Sequence, residues 1–259
     1  MKLFMNWIAI LLLVIIAGFG GTQARADFTI SAAISLKGVL EKSQPILEKA
    51  AGEKVAFNFG ASGTLAGQIK QGAPVDLFIS ADRLNADKLI DAKAGDKATE
   101  LKIAGNELVL IFSPTSADPA PKSFADLPKV KKLVVGDPKI VPAGTYAKEV
   151  LDKLKLWDDL DKAGKIVPAE NVAQVLALVK RGEVDAGIVY STDAKAEPAV
   201  KVVATAAADT HSPIEYVSVI VTDSKKKDAA AKVQQAILSK EVQSIFGDAG
   251  FLAPAAATK

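Results

Sequence analysis

Apolar and polar positions along the chain switch between two periods. Residues 27–33 (DFTISAA) and 54–59 (KVAFNF) read as strands, and the apolar run 75–80 (VDLFIS) reads as a buried one. Between them Leu36, Val39, Leu40, Ser43 and Leu47 recur at helical spacing, with Pro45 expected to kink or break the helix. A second helix is expected over residues 65–71. The later part of the chain repeats the order: a strand at 133–135, a helix over 145–154, a helix over 171–180, and a closing strand at 186–190 (AGIVY). In the 171–180 segment Val172, Val175, Leu176 and Val179 fall on one helical face. Two further apolar segments, 107–112 (ELVLIF) and 216–221 (YVSVIV), are the candidates for carrying the chain between its halves. A helix over about 228–246 is expected to cover the first half.

Strand–helix–strand–helix–strand in the first half, with a similar alternation in the second, predicts an α/β fold. We expect two similar α/β lobes with mostly parallel sheets joined by two crossing strands. The expected division is 27–108 for the first part of lobe I, 109–216 for lobe II, and 217–259 for the return to lobe I with its C-terminal helix. The repeat is visible at residue level in IKQGAPVDLFIS (69–80) and VKRGEVDAGIVY (179–190). This alignment makes Ser62 and Val172 equivalent, 14 and 13 residues ahead of Asp76 and Asp185.

The N-terminus changes the picture of where the chain works. Lys2, the apolar run 7–18 (WIAILLLVIIAG) and Ala24-Arg25-Ala26 have the order of a signal peptide spanning 1–26. Cleavage after Ala26 is expected, with export to the periplasm. The apolar run is short for a membrane span, and without Cys the chain has neither a thiol to acylate nor a disulfide frame. Removing residues 1–26 takes away Lys2 and Arg25, leaving 30 basic against 30 acidic residues. A balanced charge gives no support to nucleic-acid binding. One His, two Met and no Cys supply few ligands for a transition metal.

The chemistry lies in four loops that lead from strands into helices: Ala33-Ile34-Ser35, Ala61-Ser62-Gly63, Pro142-Ala143-Gly144 and Glu170-Asn171-Val172. In open α/β sheets ligands sit beyond the carboxyl ends of strands, and helix starts present unpaired N–H groups that favour anions. Ser35 and Ser62 add hydroxyls, and Tyr190 adds a phenol at the end of its strand. None of these loops carries Lys or Arg. A cage of neutral donors suits a fully deprotonated tetrahedral dianion, because an O–H on the ligand needs an acceptor, and Glu170 is the one carboxylate at hand. Each residue also has a plainer reading: Ser35 and Ser62 as helix caps, Tyr190 as a half-buried strand residue, Ala143 and Gly144 as parts of a turn.

Two other functional classes fit the sequence less well. A hydrolase fits poorly, since Gly60-Ala61-Ser62-Gly63-Thr64 ends in Thr where a nucleophile elbow has Gly, and His211 lies in a distant turn expected to face solvent. A ferric-ion receptor would rest on Tyr146, Tyr190 and Tyr216, which nothing in the sequence groups.

The strings AAISL, GASGTLAGQI, GAPVDLFISAD, VGDPKIVPAGTYAKEVL, GIVYSTDA and IFGDAGF follow one another in that order. Over residues 28–251 the chain resembles the periplasmic molybdate-binding proteins of ABC importers, within the bilobal (type II) solute-binding superfamily. The resemblance implies a monomer that closes on molybdate or tungstate and delivers it to a membrane permease, with no catalysis and no cofactor. Carried over by motif, the oxyanion contacts fall at Ser35, Ser62, Ala143, Val172 and Tyr190. Molybdenum is then held only as its oxyanion, without direct metal ligands. On loop chemistry alone, sulfate or another tetrahedral oxyanion stays open.

Overall fold

The structure is a computed structural model and describes residues 27–117 and 119–254. The expected signal segment 1–26 and the tail residues 255–259 lie outside the described residues. Among the described residues, the strands form two five-stranded sheets. The first takes β1 (Phe28–Ala33), β2 (Val55–Gly60), β3 (Leu77–Ser80) and β4 (Leu101–Gly105). The second takes β5 (Leu108–Phe112), β6 (Leu133–Gly136), β7 (Ile166–Ala169), β8 (Ala186–Tyr190) and β9 (Lys201–Thr205). The chain then returns to the first sheet as β10 (Glu215–Ile220).

The strand orders are β2-β1-β3-β10-β4 and β7-β6-β8-β5-β9, which match position by position. In each sheet three strands run parallel, and the strand that enters from the other half lies antiparallel to its neighbours. The expected pair of similar α/β lobes is therefore present, with mixed sheets. Residues 107–112 and 216–221 are sheet members, however, and the crossings are the segments just ahead of them. Pairing begins at Leu108 with Tyr190 and at Glu215 with Gly105, so divisions after 108 and after 216 cut into β5 and β10.

Helices α1 (Lys37–Ala51), α2 (Ser62–Lys70) and α3 (Arg83–Asp91) belong to the first half. Helices α4 (Pro142–Lys153), α5 (Trp157–Lys162), α6 (Val172–Lys180) and α7 (Ser191–Ala196) belong to the second. The chain ends with α8 (Lys227–Ile237) and α9 (Lys240–Ala249). Pro45 does not break α1. Pro45 and Glu41, whose carbonyl loses its i+4 donor, are both exposed, so water can satisfy that carbonyl. The single helix expected over 228–246 is two, because Ser239 caps a fresh start by accepting from the Val242 N–H at 3.4 Å.

Helices α2 and α4 begin earlier than their apolar periodicity predicts, at Ser62 and Pro142. The small residues are thus the first turns themselves. β3 is buried on both faces, with Leu77, Phe78 and Ile79 at 0% exposure, which is why it reads as an unbroken apolar run. The repeat extends to paired anchors at the far ends of the sheets. Asp76 accepts from the Thr29 N–H at 2.9 Å, and Asp185 from the Lys132 N–H at 2.9 Å. Each pins the start of the strand that leads to the first loop of its half.

Candidate functional site

The carboxyl ends of the parallel strands in the two sheets face each other across one cavity of about 210 Å³, counting its open mouth. Its wall carries Ala33, Ile34 and Ser35 after β1, Gly60, Ala61 and Ser62 after β2, and Ala81 after β3. From the second half come Val141, Pro142 and Ala143 at the start of α4, Val172 at the start of α6, and Tyr190 at the end of β8. All five residues singled out from the sequence, Ser35, Ser62, Ala143, Val172 and Tyr190, therefore meet at one place.

Their positions in the helices decide what they offer. Ser62 and Val172 are the first residues of α2 and α6, and Ala143 is the second of α4. Amide groups at such positions have no acceptor within their own helix, and the helix dipole makes them electropositive. Ser62 is fully buried but is not a cap: Ala61 holds that position, and the Ser62 hydroxyl accepts from the Ala81 N–H at 3.0 Å. Ser35 sits inside a short 3₁₀ turn, Ile34–Leu36, with its hydroxyl 3.0 Å from that of Tyr216. Tyr190 is 1% exposed, and its Oη is a buried side-chain polar atom with no hydrogen-bond partner. Nearly all buried polar atoms find a partner, so an orphaned phenol on a cavity wall marks a place for an acceptor.

The electrostatics fit the same picture. The wall holds no Lys or Arg. Burial pushes the phenols of Tyr190, Tyr216 and Tyr146 above the ordinary tyrosine range, so each stays a neutral donor. The nearest carboxylate in sequence, Asp82, is turned to other work: it caps α3 through the Asn85 N–H and takes the Ser80 hydroxyl at 2.9 Å. Glu170 is exposed and off the wall. Half-buried Asp193 accepts from the Tyr190 N–H at 3.2 Å and is pushed up to about 7 by burial.

The halves touch beside the cavity. The Gly63 N–H donates to the Ile140 carbonyl at 2.9 Å, and a Cβ on Gly63 would stand 2.8 Å from the Ile140 Cα. Only a residue without a side chain permits that approach. On the first crossing, Asn106 bonds to Thr192 of the second half and to Tyr216 of the first.

Sequence reasoning missed Ala81, Asn106 and Tyr216. It also left the tyrosines ungrouped, whereas the Tyr190 and Tyr216 rings lie 5.8 Å apart and Phe251, from the closing IFGDAGF string, packs edge-on to Tyr216. The one available signal was a polar Asn between two apolar strands. His211 is half-buried rather than turned to solvent, resting against Tyr146 with centroids 5.9 Å apart, and is not on the cavity wall.

Comparison with known proteins finds that residues 28–252 match the family described as bacterial extracellular solute-binding protein. The chain is 41% identical over 246 residues to the putative ABC transporter substrate-binding lipoprotein YvgL of Bacillus subtilis (strain 168), covering 92% of this chain and 94% of that one. It is 43% identical over 198 residues to the molybdate-binding protein ModA of Escherichia coli (strain K12), covering 74% and 76%. Among solved structures, the substrate binding domain of a putative molybdenum ABC transporter from Clostridium difficile matches with a TM-score of 0.66 at 41% identity. That match covers 88% of this chain and 98% of the other.

Proposed function

The chain belongs to the bacterial extracellular solute-binding protein family, and from that premise we propose that it captures molybdate in the cavity between its halves and hands it to an ABC importer. The ligand donors in this reading are the hydroxyls of Ser35, Ser62 and Tyr190 and the backbone amides of Ser35, Ser62, Ala143 and Val172. Tungstate, with the same charge and shape, is the second cargo. The protein works as a monomer in the periplasm, after removal of residues 1–26, and docks on a membrane permease. It performs no catalysis and carries no cofactor.

Tyr190 carries the argument. A phenol hydroxyl that is buried and orphaned costs about 1–3 kcal/mol unless an acceptor meets it, and Tyr190, whose Oη has no partner, is one of the residues lining this cavity. Around it stand donors and no Lys or Arg. An anion whose oxygens all accept satisfies such a wall, and hydrogen phosphate, with one O–H to place, does not. The relatives named for molybdate support that choice among dianions. Neutral buried phenols weigh against a ferric site, and the position of His211 against Ser-based hydrolysis.

Isothermal titration of the ligand-stripped protein with molybdate, sulfate and phosphate tests the reading. Tight molybdate binding with phosphate silent is expected. Sulfate binding as tightly as molybdate would keep the cage and overturn the choice of cargo, and silence towards all three would overturn both.

A further inference from the structure

We propose that Tyr216 and Asn106 are positioning residues that orient the Ser35 hydroxyl, keeping its hydrogen off Tyr216 and free for the cavity. The inference rests on the anion-binding reading above and adds two residues that do not line the cavity.

The direction follows from counting hydrogens. Asn106 is 6% exposed and lies between β4 and β5. One of its side-chain atoms takes the Glu107 N–H at 2.9 Å and the Ser191 hydroxyl at 3.0 Å. A backbone N–H can only donate, so that atom is the oxygen Oδ1 and the other is Nδ2. Nδ2 then donates to Thr192 Oγ1 at 2.9 Å and to Tyr216 Oη at 3.2 Å. Tyr216 is fully buried, and its own hydrogen has one acceptor in reach among the described residues, Ser35 Oγ at 3.0 Å. Were Ser35 the donor, the Tyr216 hydrogen would be buried unpaired. The satisfied arrangement runs Asn106 to Tyr216 to Ser35, leaving the Ser35 hydrogen for the cavity that Ser35 lines.

The other serine is set the same way by a different donor. The Ala81 N–H occupies Ser62 Oγ at 3.0 Å, again leaving a hydrogen to give. Each hydroxyl oxygen has two lone pairs, and in this fold one on each is filled from behind, so each serine keeps its hydrogen and has one accepting position fewer. A ligand O–H finds one accepting position on Ser35 rather than two.

The test is a double-mutant cycle on the purified protein, with Tyr216→Phe and Ser35→Ala, reading molybdate Kd and the molybdate-to-phosphate preference. Tyr216→Phe is expected to weaken molybdate about 5- to 20-fold and to narrow that preference, while in the Ser35→Ala background it changes Kd by less than about twofold. Equal losses in both backgrounds, or no loss in either, would overturn the relay. Asn106→Asp keeps the size and removes the donor towards Tyr216. Its molybdate affinity relative to wild type should recover as pH is lowered and the new acid gains a hydrogen; Asp193, pushed up to about 7 in wild type, is present in both proteins, so the ratio is read rather than either profile alone. A pH-independent ratio overturns the relay even if Tyr216→Phe folds poorly. Wild-type silence towards molybdate and sulfate instead overturns the anion reading itself, so the two failures are distinct.

Discussion

Tyr190 is pulled two ways by its single hydroxyl. In the absence of an acceptor the group is buried and unpaired, so Tyr190→Phe is expected to leave the ligand-free protein as stable or about 1 kcal/mol more stable. The same change removes a donor to a buried dianion and should weaken molybdate by about 1.5–3 kcal/mol, roughly 10- to 150-fold. Paired thermal melts and titrations check this; a loss of stability together with unchanged binding would make Tyr190 a structural residue. Burial raises this phenol above the ordinary range, so its donor form persists at pH 10, where an exposed tyrosine begins to ionise, and a loss of binding centred near pH 7 would belong to Asp193, whose carboxyl is pushed up to about 7 by burial. The five cavity residues were legible because each is fixed locally, by the end of an apolar strand or the first turn of a helix. Tyr216 was not: its bond to Ser35 spans 181 positions and its bond to Asn106 spans 110. No periodicity carries such a pairing.

At the scale of elements, two glycines separate packing within a half from packing between halves. A Cβ on Gly144 would stand 1.9 Å from the Gly136 carbonyl oxygen, where α4 presses on the end of β6. Gly144→Ala is expected to destabilise the second half by more than about 2 kcal/mol, through a clash with backbone that cannot step aside. Gly63 meets Ile140 of the other half at 2.8 Å. In α2 itself an Ala is a better helix former by about 1 kcal/mol, so Gly63→Ala should keep the melting temperature of the free protein and weaken molybdate. Equal effects of both variants on melting would refute that division of labour. Seven of the ten strands among the described residues were readable from period and turn residues, whereas β4, β7 and β9 were not. The helix over 228–246 was not, because its apolar spacing runs on through Ser239 while the capping geometry interrupts it. Pro45 misled in the opposite direction, since sequence does not say that the carbonyl it frees faces water.

For the whole molecule, the two halves are tied by the short crossing ahead of β5 and the longer one ahead of β10, and they meet at Gly63 and Ile140. Binding that satisfies donors on both sides favours the arrangement in which the halves touch. Solution scattering should show a smaller radius of gyration with molybdate than without it; identical curves would argue for a rigid molecule. The two-lobed plan was visible in the repeated strings that contain Asp76 and Asp185, which the structure turns into matching anchors. The exact crossings were not, because β5 and β10 look the same in sequence whether they bridge two sheets or sit inside one.

The wall without a cation has a consequence for life outside the cell. A site built on Lys or Arg draws its anion through a long-range field, which dissolved salt cuts off beyond about 8 Å at physiological ionic strength. In the proposed site the grip would come from amide and hydroxyl dipoles in direct contact, on a wall with neither Lys nor Arg. An exported protein meets whatever salinity its surroundings impose, and a cage of this kind is expected to lose less of its hold in brine than a Lys- or Arg-based site; titrations at low and high salt check this.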